Sequence, residues 1–328
     1  MIHLEARPTA PIDEHVAALR GVPAAQRQVG LRARAWAVQR RDSLPLQARR
    51  ALDALAEALG LGPRFTGDAP ATLAELELRE LPAPTRLLLL RAMMAVALLD
   101  GRLEREGLQR IEAAAVDLAV DEPLLVALRH IVHRRHVRLR LSLVPKVWFG
   151  GKLRRRIDAQ GWARAVGAFV WSTFFRRYRD DALAARYRAL ASLPAGSLGR
   201  AYLDYLRTNS FPLPGERGAI SDLIIFHDLT HVISGYSTRP EDEARVALFS
   251  AGFLQRHPFA HVLMALVQFH LGIRLTPAAA GEVGLVEPGA ALTALLRGAR
   301  LTADILGDWD PWSQFPRPLV ELRRELGA

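Results

Sequence analysis

The sequence predicts an all-α protein built from two helical domains. Apolar residues recur at helical spacing along most of its 328 residues. Runs of alternating β-branched residues and Asn-Gly hairpin turns are missing. Half of the residues are hydrophobic and 24% are charged, so a chain of this length can bury two modest cores.

The helices are expected in the following order. Ser43 is placed to cap a helix carrying Ala51, Leu52, Leu55 and Leu59, which Gly60 and Gly62 stop. The Pro82–Pro84 turn precedes an apolar helix over Leu87–Leu99 that ends at Asp100–Gly101. The next helix aligns Leu108, Ile111, Ala115 and Leu118 on one face. Asp121, with Glu122 and Pro123 in the first turn, opens a helix that runs into a basic strip. Pro145, Gly150 and Gly151 then break the helical pattern, and the charge changes there. This sets a helical domain over 1–145, a basic linker over 146–156 and a second helical domain over 157–328.

Several functional classes are excluded by composition. With no cysteine, there are no disulfides, thiolate nucleophiles or Cys-ligated metals. The first residues lack the charged start and apolar run of a signal peptide. The longest apolar stretches, Leu87–Leu99 and Phe259–Leu271, fall short of the ~20 residues that span a bilayer. A cytoplasmic location is expected, with peripheral attachment to the inner face of the membrane.

The net charge is +10 and the pI is near 10.9, but the excess is local. From Pro123 to Ile157 there is no acidic residue, while ten basic residues fall in that strip. The rest of the chain has 34 basic against 34 acidic residues. Arg135, Arg138, Trp148, Phe149, Lys152, Arg154, Arg155 and Arg156 form a candidate membrane- and anion-binding surface. A charged linker packed on acidic neighbours is the plain alternative. Nucleic acid is not expected, because no helix-turn-helix, Gly-rich RNA or zinc-finger pattern occurs. Serine-nucleophile and phosphate-loop motifs are absent as well.

The informative segment is Ala219–Tyr236, which is apolar on most of a helical circumference and therefore reads as buried. Its polar seam carries His227, His231 and Ser234 at i, i+4 and i+7, with Asp228 beside them, and Gly235 ends it. Imidazoles four apart lie about 5–6 Å apart at Cβ and suit a shared metal ion. Ser237–Glu243 starts the next helix, with Thr238 as cap and Glu241 completing a capping box. An antiparallel hairpin would bring Glu243 to the seam. Two nitrogens and a carboxylate suit zinc first, or iron(II). Asp228 either binds the metal at an angle or orients a histidine. Two other histidine sets carry less. His257 and His261 lack a spaced carboxylate and read as structural, and His130, His133 and His136 lie among arginines that repel a cation.

These residues resemble the ubiquinone (coenzyme Q) biosynthesis protein Coq4 family, whose signature is His-Asp-x-x-His, eleven residues and Glu. Here that signature is His227, Asp228, His231 and Glu243, with Val232 to Asp242 between. The likeness extends to Leu193–Leu203, with its Gly-Arg-Ala-Tyr segment, and to the Trp-rich tail from Trp309 to Gly327. It covers the chain from about residue 155 onward. The resemblance implies an all-helical metal-binding fold. It also implies oxidative decarboxylation and hydroxylation at C1 of a prenylated benzoquinone precursor. Implied partners are that precursor or another isoprenoid lipid, an anionic membrane surface and other quinone-biosynthesis proteins; homodimerisation is left open. Leu248, Phe249, Phe253 and Phe259–Leu271 are candidates to line a groove for the prenyl tail, with core packing as the alternative.

The segment Leu98–Glu106 between two amphipathic helices resembles the TerB-like (tellurite resistance) helical domain, over about residues 45–140. Asp100, Glu104 and Glu106 would there meet a cation or stabilise a helix start. Two alternatives compete with an enzyme. One is a membrane-associated lipid-binding scaffold with a structural metal. The other is a hydrolase like the His-Glu-x-x-His metalloproteases, disfavoured because Asp228 replaces the catalytic Glu.

Overall fold

The computed structural model describes residues 24–38, 44–66, 70, 72–76, 78–148, 179–219, 225–275, 280–307 and 309–328. Among these residues there are fourteen α-helices, three short 3-10 turns and no strand, so the protein is all-α. The first half supplies α1 (Ala24–Val38), α2 (Leu46–Ala58), α3 (Ala83–Leu99), α4 (Arg105–Asp117), α5 (Leu125–Val132) and α6 (His136–Trp148). The second half supplies α7 (Asp181–Arg188), α8 (Leu198–Thr208), α9 (Ile225–Ser234), α10 (Pro240–Phe253), α11 (Pro258–Phe269), α12 (Pro288–Ala299), α13 (Pro311–Gln314) and α14 (Leu319–Leu326). No helix among the described residues is long and apolar enough to cross a membrane.

Most local signals act as the sequence suggests. Gly60 and Gly101, both at positive φ, follow α2 and α3, where an L side chain would strain the turn. Ser43 lies outside the described residues, and α2 opens after Pro45. Three starts and stops differ from expectation. α5 begins at Leu125 because the Glu122 carboxylate turns inward, where it pairs with Arg91 and accepts the Leu124 N–H. α6 runs unbroken through Pro145. The proline sits in the last turn of that helix, and its missing N–H costs the single bond to the Leu141 carbonyl. At α10 the cap is Arg239, one residue beyond Thr238, since Pro240 fixes the first helical φ. Thr238 instead donates its hydroxyl to Asn209 (2.7 Å), and Asp242 accepts from the N–H (3.0 Å) and hydroxyl (2.5 Å) of Ser237.

Two large buried clusters share α10. Ala244, Ala247, Leu248 and Ala251, spaced on one face, join α11 and the core of α1–α6. Phe249 and Phe253, on another face, join α7, α8, α9 and α14. The aromatic and aliphatic residues named as groove candidates are therefore core: Leu248 and most of α11 in the first cluster, Phe249 and Phe253 in the second. A continuous buried cluster thus runs across both sides of the 146–156 linker.

α10 crosses α12 at glycines. A Cβ on Gly252 would collide with the Leu295 carbonyl and the Ala299 amide, and one on Gly298 with the Phe249 carbonyl. Such backbone contact tolerates no added methyl without moving a helix. Gly298→Ala is expected to destabilise the protein by about 3 kcal/mol or more in urea unfolding. Gly30→Ala, on α1 where a Cβ meets only an arginine terminus, should be neutral or slightly stabilising.

Candidate metal centre

α9 is buried on nearly every side, so each of its polar side chains has to find a partner inside the protein. His227 and His231 stand one turn apart with ring planes at 90° and centroids 4.9 Å apart. The turn after Gly235 sends α10 back alongside α9 and places Glu243 against both rings. His227 Nε2 lies 3.1 Å from Glu243 Oε2, His231 Nε2 lies 3.4 Å from Oε1, and the two Nε2 atoms are 3.3 Å apart.

Counting protons shows what these distances mean. His231 Nδ1 donates to the Tyr236 carbonyl (3.2 Å), which can only accept. In the neutral ring, Nε2 of His231 then carries a lone pair aimed at a carboxylate oxygen and at the second imidazole. With His231 neutral, only His227 can supply a proton among the three groups, and either a second proton on His231 or a metal cation completes the cluster. Metal–ligand bonds of 2.0–2.1 Å in a tetrahedron have ligand–ligand edges of about 3.3 Å, the separation found here. His227, His231 and Glu243 can therefore hold a metal ion, and they are the only such group among the described residues. The carbonyl bond that fixes the His231 ring is the kind of support that orients metal-binding histidines.

The charges agree with this arrangement. Burial alone would raise the Glu243 carboxyl, but hydrogen bonds and charge from both histidines hold it well below the usual carboxylate range. For His227 burial disfavours the charged ring, yet Glu243 and the charge of Asp228 raise it above an ordinary histidine. Asp228 stands beside the triad and outside it. Burial pushes its carboxyl up to about 6 against the pull of both imidazoles, and its Oδ2 is buried with no hydrogen-bond partner. The cluster opens on one side: the His231 side chain is 0% exposed, Glu243 22% and His227 43%.

Residues distant in sequence complete the surroundings, and spacing alone gave no sign of them. Tyr205 of α8 stacks on His231 at 5.6 Å, and burial with the nearby Asp228 and Glu243 charges keeps its phenol protonated. Asn209 donates to the Tyr205 carbonyl (2.8 Å) and so ties the end of α8 to the turn before α10. At the other end of α9, Arg323 donates to the carbonyls of Ile233 (2.9 Å) and Val232 (2.7 Å), and Arg297 to that of Ser234 (3.1 Å). Cations there complement the helix dipole. Arg323 falls within the tail from Trp309 to Gly327 that carries part of the family likeness.

The other predicted positions lie elsewhere. Arg135 and Arg138 are exposed at the start of α6. Phe149, Lys152, Arg154, Arg155 and Arg156, and the side chain of Trp148, lie outside the described residues. Asp100 closes α3 and Glu104 caps α4, while Glu106 pairs with Arg110 one turn on. His261 is buried in α11, where burial lowers its imidazole to about 4 and keeps it neutral.

The purified protein is expected to bind about one equivalent of divalent metal. His231→Ala or Glu243→Ala should weaken binding by more than about a hundredfold by metal analysis and competition titration. The depressed His261 gives a separate expectation. Unfolding would let this ring protonate near 6.5, so stability should fall between pH 6.5 and about 4. In His261→Phe, the slope of unfolding free energy against pH in that window should be smaller by up to one proton. Compared with known proteins, the chain matches no family model, no curated protein and no solved structure.

Proposed function

We propose that this chain is a metal-dependent ubiquinone-biosynthesis protein resembling the Coq4 family. On this reading it carries out oxidative decarboxylation and hydroxylation at C1 of a prenylated benzoquinone precursor. The observation that supports it is the convergence of His227, His231 and Glu243, whose ligand atoms all lie within 4.8 Å of one another. Zinc fits this ligand set, and iron(II) fits it in the two-His-one-carboxylate manner. Bound there, the metal would supply a Lewis acid for the carboxylate or phenolate oxygen of the precursor.

The chain's own residues would divide the work. His231, locked by the Tyr236 carbonyl, and Glu243 hold the ion from the buried side. The exposed edge of His227 leaves the precursor a way in. The second buried carboxylate, Asp228, adds negative charge that favours a dication over a proton pair. Overall, the C1 carboxyl leaves as carbon dioxide, water supplies the hydroxyl oxygen, and the two electrons and two protons released reduce dioxygen to hydrogen peroxide.

The open side is also what separates this reading from a scaffold with a structural metal, whose coordination would be closed by protein. Metal-loaded protein incubated with a prenylated 4-hydroxybenzoate and dioxygen should release carbon dioxide. Glu243→Gln, still folded by circular dichroism, should release at least about a hundredfold less. Absence of release with either zinc or iron(II) would leave the scaffold as the better reading.

A further inference from the structure

We propose that the corner between α5 and α6 is a docking surface for an anionic lipid bilayer. The turn between the two helices is tight: Arg134 adopts a left-handed conformation (φ 52°), with the Arg134 N–H bonded to Ile131 (3.0 Å) and the Arg135 N–H to His130 (2.8 Å). That turn gathers His130, His133, Arg134, Arg135, His136 and Arg138 into one corner, in a stretch with no acidic residue from 123 to 157. Their crowding shows in His130, whose charged form is disfavoured by burial and then by Arg138, Arg135 and His133.

The described arginines of this region fall into two groups. Arg129 pairs with Glu112 (2.6 Å), and Arg140 donates to the Arg274 carbonyl (2.8 and 3.0 Å). Arg134, Arg135 and Arg138 are exposed and their side chains make no ion pair or hydrogen bond among the described residues. Between and beside them stand Val137, 67% exposed, and Leu141, 70% exposed, one turn apart on α6. Single exposed apolar residues are ordinary on a protein surface. An apolar pair at i and i+4 flanked by three uncommitted guanidiniums has a more specific match. A nucleic-acid backbone would engage the arginines and leave the apolar pair in water. An anionic bilayer takes both, with headgroup phosphates on the arginines and the acyl boundary on Val137 and Leu141. The surface is independent of the metal centre and of the reaction proposed for it.

Flotation of the full chain with phosphatidylglycerol–phosphatidylcholine vesicles tests this, with phosphatidylcholine alone as the neutral control. Wild type should float with the anionic vesicles only, and high salt should release it. Each arginine near such a surface contributes roughly fivefold, so Arg134→Gln/Arg135→Gln/Arg138→Gln should bind on the order of a hundredfold more weakly. Val137→Ser/Leu141→Ser should lose about tenfold. Because all five residues are exposed, both variants should keep the wild-type unfolding midpoint and metal content. Failure of the wild type to float would overturn the proposal, as would unchanged binding of the triple variant. Unchanged binding of the Val137/Leu141 variant would also overturn it, marking a surface read by charge alone, as nucleic acid or an acidic protein would read it.

Discussion

The position of α10 between two buried clusters is the constraint on which the rest of this structure depends. Its alanine-rich face meets the N-terminal helices and α11, while Phe249 and Phe253 meet the helices around α9. A helix clamped from both sides has little freedom to slide or rotate, because close-packed interiors yield only in discrete steps. Backbone contact with α12 at Gly252 and Gly298 removes what freedom is left. Glu243 sits in the first turn of this same helix. The carboxylate therefore reaches the two imidazoles from a rigid element, and its place is set by packing far from the cluster itself.

The polar groups that face each other across α9 and α10 would be costly to bury without compensation. Glu243 and Asp228 are acceptors once ionised, and His231 has its one neutral-state proton committed to Tyr236. Protonating an imidazole answers part of the imbalance, which is why His227 is raised and Glu243 held low. A dication answers more of it, since it meets several lone pairs at once and offsets both carboxylates. The arginines at the far end of α9 solve a different problem. They satisfy the last carbonyls of a buried helix, which no further turn of the helix can reach.

How much of this was legible in the sequence depends on how local each cause is. The all-helical fold and the shared stripe of His227 and His231 follow from a 3.6-residue period, which sequence displays directly. Glu243 was placed correctly although the capping box that accompanied it did not form, because hairpin reversal after Gly235 needs no particular cap. Thr238 failed as a cap because Pro240 dictates the first helical residue. Glu122 failed as a first-turn residue because its carboxylate is buried against a partner, Arg91, that lies on another helix. Tyr205 and Arg297 were invisible for the same reason: their roles exist only as contacts between elements remote in the chain. The linker over 146–156 was a reasonable boundary by composition. Composition does not reveal that the small residues of α10 complete the core of the helices before it.

Net charge shows the same difference between counting and placing. As a total, +10 on 328 residues describes the protein no better than a pI does. Structure sorts the basic strip by what each charge already does. Arg129 and Arg140 are committed to a carboxylate and a carbonyl, and Lys146 donates to the Ser142 carbonyl (3.1 Å) within α6. Such residues have little left to offer a partner, because a new contact must first replace an existing one. Among the described residues Arg134, Arg135 and Arg138 have no such contact to give up, and at an exposed corner their fields add rather than cancel. Among the described residues of the strip, the uncommitted charge is three guanidiniums around two apolar side chains, a far smaller quantity than the formal total.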